Sequence, residues 1–147
     1  MIIPNLMVKD IHQSLAFYKD LLGMEIVVLV SPEREVSFEG NGKGAAFATL
    51  EWKGTARDNG STGGQLMLQT VQSLSDELPS FSSKQTPRAS GTIYFRGFAP
   101  DKIINKVPEH SIVKGPLQQW YGMKELYLKD PDGYIICLGI PEGSSPE

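Results

Sequence analysis

Residues 121–140 read YGMKELYLKDPDGYIICLGI. At the centre, Lys129-Asp130-Pro131-Asp132-Gly133 is a strong turn signal: aspartates bond neighbouring amides, proline presets φ, and glycine accepts the left-handed position. The turn separates two runs of strand character, residues 123–128 and 134–140, so the segment predicts an antiparallel hairpin. Because successive strand side chains point to opposite faces, Ile136, Leu138 and Ile140 share one face and Ile135, Cys137 and Gly139 the other. A calcium reading of Asp130 and Asp132 fails for want of the further ligands of an EF-hand loop.

Working back from this hairpin, residues 111–117 form another strand, preceded by a short helix that opens at Pro100-Asp101 and runs through Ile103, Ile104 and Val107. Before it lies an apolar strand over 92–98. The same order, strand, helix, strands, is present nearer the amino terminus. Residues 2–8 are a short apolar run; Ile11, Leu15, Tyr18 and Leu22 then recur at helical spacing, with Asp10 as cap and Gly23 as stop. Strands follow at 24–30, 34–38 and 45–52, the last two joined by a hairpin turn at Gly40-Asn41-Gly42-Lys43-Gly44, and another strand spans 65–71. Residues 54–64 are polar and Gly-rich, a loop. Residues 73–90, rich in Ser and Pro, mark a linker. The fold class is therefore α+β, with two βαβββ modules in tandem, residues 1–72 and 91–147, forming a curved mixed-sheet cup within one structural domain.

Strand parity separates two kinds of face. Leu6, Val8, Leu66, Leu68, Ile93, Phe95, Ile136, Leu138 and Ile140 make a uniformly apolar one, expected beneath the helices. The other carries Ile3, Asn5 and Met7; Met67 and Gln69; Thr92, Tyr94 and Arg96; Ile135, Cys137 and Gly139. A mixed surface of this kind suits a concave sheet that holds a small organic ligand, with apolar walls and a few oriented polar groups. It equally suits a solvated or subunit-contacting sheet. Trp52, Trp120 and Tyr121 fall at strand ends or just before a strand, where rings can form a pocket rim or pack at an interface. Arg96 offers a donor fork for a carboxylate or phosphate, or an ion pair with Glu51 or Glu125. Tyr94 is a candidate hydrogen-bond donor, Met7 and Met67 an adaptable apolar wall, and Cys137 a small buried hydrophobe. His12 and His110 read as surface histidines.

Composition narrows the function. The chain has 147 residues with 14 basic and 17 acidic side chains, a net charge of -3, and no basic footprint for nucleic acid. The single cysteine excludes an internal disulfide and a thiolate cluster. No leader pattern or run of 18 apolar residues is present, so no membrane partner and a cytoplasmic location are expected.

Leu6-Met7-Val8-Lys9-Asp10, Ser14-Leu15-Ala16-Phe17-Tyr18 and Leu21-Leu22-Gly23-Met24 resemble the amino-terminal signature of the glyoxalase/bleomycin-resistance/extradiol-dioxygenase superfamily, the vicinal oxygen chelate proteins. Residues 121–134 resemble its closing hairpin. The resemblance covers nearly the whole chain, and it is weakest over 33–44 and 73–90. It implies paired βαβββ modules whose sheets form a cup, commonly completed in a homodimer, and a divalent metal held by His, Gln or Glu on cup-facing strands. By register those positions fall here on Ile3, Gln69, Thr92 and Cys137. Only Gln69 is a conventional oxygen ligand; Ile3 has no donor atom, and a lone cysteine favours softer metals. No metal and no cofactor are therefore expected.

Three functions remain in view. The first is a metal-independent, dimeric binder of a small organic ligand, of the bleomycin-resistance type, using Met7, Trp52, Met67, Gln69, Thr92, Tyr94, Arg96, Trp120, Tyr121 and Cys137. The second is a glyoxalase-like or dioxygenase-like enzyme with a displaced metal site, or with metal-free acid-base chemistry through Tyr94 or Arg96. The third is a subunit that keeps the fold as an interaction surface.

Overall fold

The computed structural model describes residues 1–54 and 63–142, so most of the loop expected over 54–64 lies outside the described residues. Two compact units are present, one formed by Met1–Lys53 with Gly63–Arg88 and another whose main segment starts at Ala89.

The first unit contains β1 (Asn5–Val8), α1 (Ile11–Leu15), a π-helical turn (Ala16–Leu21), β2 (Glu25–Val30), β3 (Val36–Ser37), β4 (Phe47–Trp52), β5 (Gly64–Thr70) and α2 (Val71–Glu77). Its sheet runs in the order β1-β5-β4-β2-β3, with β1 parallel to β5 and the remaining pairs antiparallel. Asp10 caps α1 as expected, accepting from the His12 amide at 2.8 Å. Gly23, at φ +76°, ends the helical segment. Between these marks the helix widens: the Leu22 amide bonds the Phe17 carbonyl at 3.0 Å, a five-residue step that apolar spacing does not reveal. The widened turn still keeps Phe17 and Tyr18 buried, edge to face with centroids 5.0 Å apart.

Two expectations are corrected here. Residues 40–44 do not join paired strands: β3 pairs with β2, and β4 pairs with the other edge of β2. The Gly-rich segment instead crosses back against α1, where a Cβ on Gly42 would lie 2.7 Å from Leu15 and 2.9 Å from Ile11. Close approach, rather than a hairpin, is what this glycine permits. The stretch read as linker from residue 73 begins inside α2, whose first turn is capped by Thr70 accepting from the Ser73 amide at 3.3 Å.

The second unit contains β6 (Thr92–Arg96), β7 (Ile112–Gln118), β8 (Met123–Lys129) and β9 (Ile135–Pro141), in the order β6-β9-β8-β7 with β6 parallel to β9. The expected helix after β6 is a series of short 3₁₀ turns, Pro100–Lys102, Ile104–Lys106 and Glu109–Ser111. The chain here closes three-residue steps, with the Ile103 amide on the Pro100 carbonyl at 3.2 Å and the Lys106 amide on the Ile103 carbonyl at 2.7 Å, and Pro108 bars further helix. These turns nonetheless bury Pro100, Ile103 and Val107. At the closing turn the Asp130 carboxylate accepts from the amides of Asp132 at 2.9 Å and Tyr134 at 2.8 Å, the local bonding expected of an Asp-initiated turn.

The apolar parity forms the core of each unit. Val8, Leu66 and Leu68 are buried beneath Ile11, Leu15 and Tyr18 in the first, and Phe95, Leu126, Leu128, Ile136 and Leu138 are buried in the second. Each such side chain contributes roughly 1.5–3 kcal/mol by leaving water. The molecule is thus α+β with a mixed sheet in each βαβββ-like half. Among the described residues no helix is long and apolar enough to cross a membrane.

Candidate functional site

The mixed parity of each sheet carries a polar network. In the first unit, register places Met7 and Phe47 beside Gln69, and Asn5 and Thr49 beside Met67. Gln69 is 5% exposed, and its carbonyl oxygen accepts from the Asn5 amide at 2.9 Å. Its own amide donates to the Ser73 hydroxyl at 3.0 Å and the Glu77 carboxylate at 2.8 Å. These bonds tie α2 to the end of β5.

This arrangement answers whether the family's metal positions suit a metal. Gln69 offers an oxygen already engaged by Asn5. Ile3 has no donor, and Thr92 a neutral hydroxyl. Burial, then the Glu125 charge, push the Cys137 thiol up to about 11, so it carries no thiolate at neutral pH. Among the described residues no three His, Cys, Asp or Glu side chains gather as a metal site requires. The residues present do not fit a divalent ion at those positions.

In the second unit the same parity is built around Glu125. This residue on β8 is 1% exposed, and its carboxylate accepts three phenolic hydroxyls: Tyr94 at 2.8 Å on one oxygen, and Tyr121 at 2.7 Å and Tyr127 at 2.8 Å on the other. Tyr94 pairs in register with Cys137, and Cys137 with Tyr127, so all belong to one sheet face. To reach Glu125 from β6, the Tyr94 side chain passes over Gly139 of β9, where a Cβ would stand 2.0 Å from the hydroxyl oxygen. The missing side chain at Gly139 makes the bond across β9 sterically open.

The electrostatics follow from this geometry. Burial alone would raise the Glu125 carboxyl, but hydrogen bonds from Tyr121, Tyr127, Tyr94 and Gln119 outweigh it and hold the group below its ordinary value. Burial and the bond to Glu125 push Tyr94 well above a free phenol. Tyr127 and Tyr121 are raised mainly by donating to the same carboxylate. The cluster is therefore one buried negative charge solvated by neutral donors, and no cation pairs with Glu125 among the described residues. The Lys114 ammonium, 5.8 Å from the centre of the Tyr127 ring, already lies within cation–π range of this face.

Of the residues chosen from sequence, the second unit brings Tyr94, Tyr121 and Cys137 together. Trp120 is 80% exposed and meets Tyr121 edge to face, centroids 5.4 Å apart. Thr92 and Arg96 are exposed at the two ends of β6. In the first unit Met7 is buried, Met67 half-buried, and Trp52 half-buried at the end of β4. Sequence reasoning took Glu125 only as an ion-pair partner and passed over Tyr127. Both were reachable, since Glu125 and Tyr127 share one strand parity while Leu126 and Leu128 take the other.

The family model for the glyoxalase/bleomycin resistance protein/dioxygenase superfamily matches residues 3–138. The chain is similar in fold to a protein of unknown function from Agrobacterium tumefaciens str. C58, with TM-score 0.65 and 23% identity over 95% of this chain and 92% of that one. It is also similar to a glyoxalase/bleomycin resistance protein/dioxygenase family enzyme from Burkholderia phytofirmans PsJN, with TM-score 0.63 and 15% identity over 95% and 96% of the respective chains. A glyoxalase/bleomycin resistance protein/dioxygenase from Nocardioides matches with TM-score 0.60 and 16% identity over 100% of this chain and 87% of that one. No curated protein matches in sequence. The residues matched span both halves, and the chain belongs to the glyoxalase/bleomycin resistance protein/dioxygenase superfamily.

Proposed function

We propose that this protein binds a small organic molecule without a metal, on the tyrosine-lined face of the second sheet, in the manner of a bleomycin-resistance-type sequestering protein. The observation that carries this reading is Glu125, a buried carboxylate that accepts three tyrosine hydroxyls and has no cation opposite it among the described residues. The phenols keep this carboxylate charged without neutralising it, so a ligand that brings a cationic or donor-rich group finds an unbalanced negative charge beneath the rings. With their protons turned to Glu125, the phenolic oxygens keep lone pairs for such a group, and the rings offer π-faces to it.

The acid-base alternative through Tyr94 draws less support. A phenol held well above its ordinary value by burial and by Glu125 keeps its proton at neutral pH, far from the range in which a general acid works well. Homodimer formation and a cytoplasmic location belong to the proposal as expectations.

Two measurements test it. Elemental analysis of the purified protein is expected to give no stoichiometric divalent ion, and finding one would overturn the metal-free reading. Titration of the Trp52→Phe variant with phenyltrimethylammonium, followed by Trp120 fluorescence, is expected to saturate, with affinity at least tenfold weaker when Glu125→Gln is added. Equal affinity in that variant would remove Glu125 from the site.

A further inference from the structure

A second site is present in the first unit. A cavity of about 550 Å³ opens between the end of β2, the start of β4 and α2, within the size range of small-molecule sites. Val30, Pro32 and Phe47 give it an apolar wall, while Arg34 lines it along with Asp76 and Glu77. These charges share the cavity without meeting: among the described residues none of the three forms an ion pair.

Arg34, Asp76 and Glu77 are exposed; hydrogen bonds hold the two carboxylates, and a backbone turn sets where the arginine side chain starts. Glu77 is bound through one oxygen to the buried Gln69 amide at 2.8 Å, and its other oxygen takes no bond among the described residues. Asp76 is held by the Gln72 amide at 2.7 Å. Arg34 sits at φ +68°, the one non-glycine residue with positive φ among those described. Its amide bonds the Ser31 carbonyl at 3.0 Å, and the Ser31 hydroxyl accepts from the Glu35 amide at 3.1 Å, which fixes the turn that presents the guanidinium. A left-handed arginine is uncommon, and such positions persist where the surroundings hold them.

We propose that this cavity binds a small zwitterion with an apolar body, of the amino-carboxylate class: its anionic end on the Arg34 fork, its ammonium on Glu77 and Asp76, and its apolar part against Phe47. Opposite charges that line one cavity without pairing match a ligand that carries both signs better than one that carries either alone. The inference is independent of the Glu125 cluster and of whether that cluster holds a ligand.

The test is a titration of the full chain with L-phenylalanine, followed by amide chemical shifts. Shifts are expected at Ser31, Glu33 and Arg34 and at residues 72–77. 3-Phenylpropionate and phenethylamine, each lacking one charge, are expected to bind at least tenfold more weakly, as L-phenylalanine is to Arg34→Met and Glu77→Gln. The proposal is overturned if L-phenylalanine leaves those amides unmoved, if either singly charged analogue binds as well, or if Arg34→Met binds unchanged. The analogue comparison uses the unaltered chain, so it stands even where a variant misfolds.

Discussion

Gln69 in the first unit and Glu125 in the second are both buried polar residues on the mixed face of a sheet, and both are fully hydrogen-bonded. They differ in charge. Gln69 is a neutral amide that both accepts and donates, and its partners Asn5, Ser73 and Glu77 turn it into a fastening between β1, β5 and α2. Glu125 can only accept, and three phenols satisfy its oxygens while leaving its charge in place. A buried polar group can therefore be fully bonded and still differ in electrostatics: the Gln69 amide ends neutral, whereas Glu125 keeps a net negative charge.

The sharpest way to break this contrast is Glu125→Leu, which strands three hydroxyls around an apolar side chain. A loss of about 3 kcal/mol in denaturant-induced unfolding is expected, and a loss near zero would mean that the tyrosines are satisfied elsewhere. Gln69→Leu should cost about 2 kcal/mol and speed amide exchange in α2, because the Ser73 and Glu77 tethers go with it. Unchanged exchange in α2 would refute the fastening role. Gly139→Ala should cost roughly 1–2 kcal/mol, since the new methyl displaces the Tyr94 hydroxyl from Glu125. Combined with Tyr94→Phe it should cost little more than alone, and full additivity would sink the assignment.

The smallest effect is on pH dependence. The folded-state value of Glu125 lies below its unfolded one, so its contribution is complete above the unfolded value, near 4.5, and is lost as pH falls through the folded value. Glu125→Gln should therefore flatten the acid limb of stability below about pH 4.5 and leave neutral pH dependence unchanged. An identical acid limb in both proteins would show that the carboxylate titrates as it does in the unfolded chain.

Much of the fold was legible because its signals are local. Asp10 and Gly23 bound the first helix, Asp130 to Gly133 turn the last hairpin, and parity divides core from mixed face, all through interactions a few residues long. The errors share a cause. The pairing of β4 with β2 rather than β3, and the 3₁₀ turns in place of a helix after β6, depend on which neighbour each segment packs against.

Residue type and spacing were enough for the order of the main strands, the first helix, the apolar face of each sheet, and the poverty of metal donors at Ile3, Thr92 and Cys137. The packed chain alone brings Tyr94 to Glu125 from 31 positions away, across a strand opened at Gly139, and puts Arg34 in one cavity with Glu77. Such groupings are set by which strands lie side by side. Parity restricts the side chains that can take part, and strand pairing selects the ones that meet.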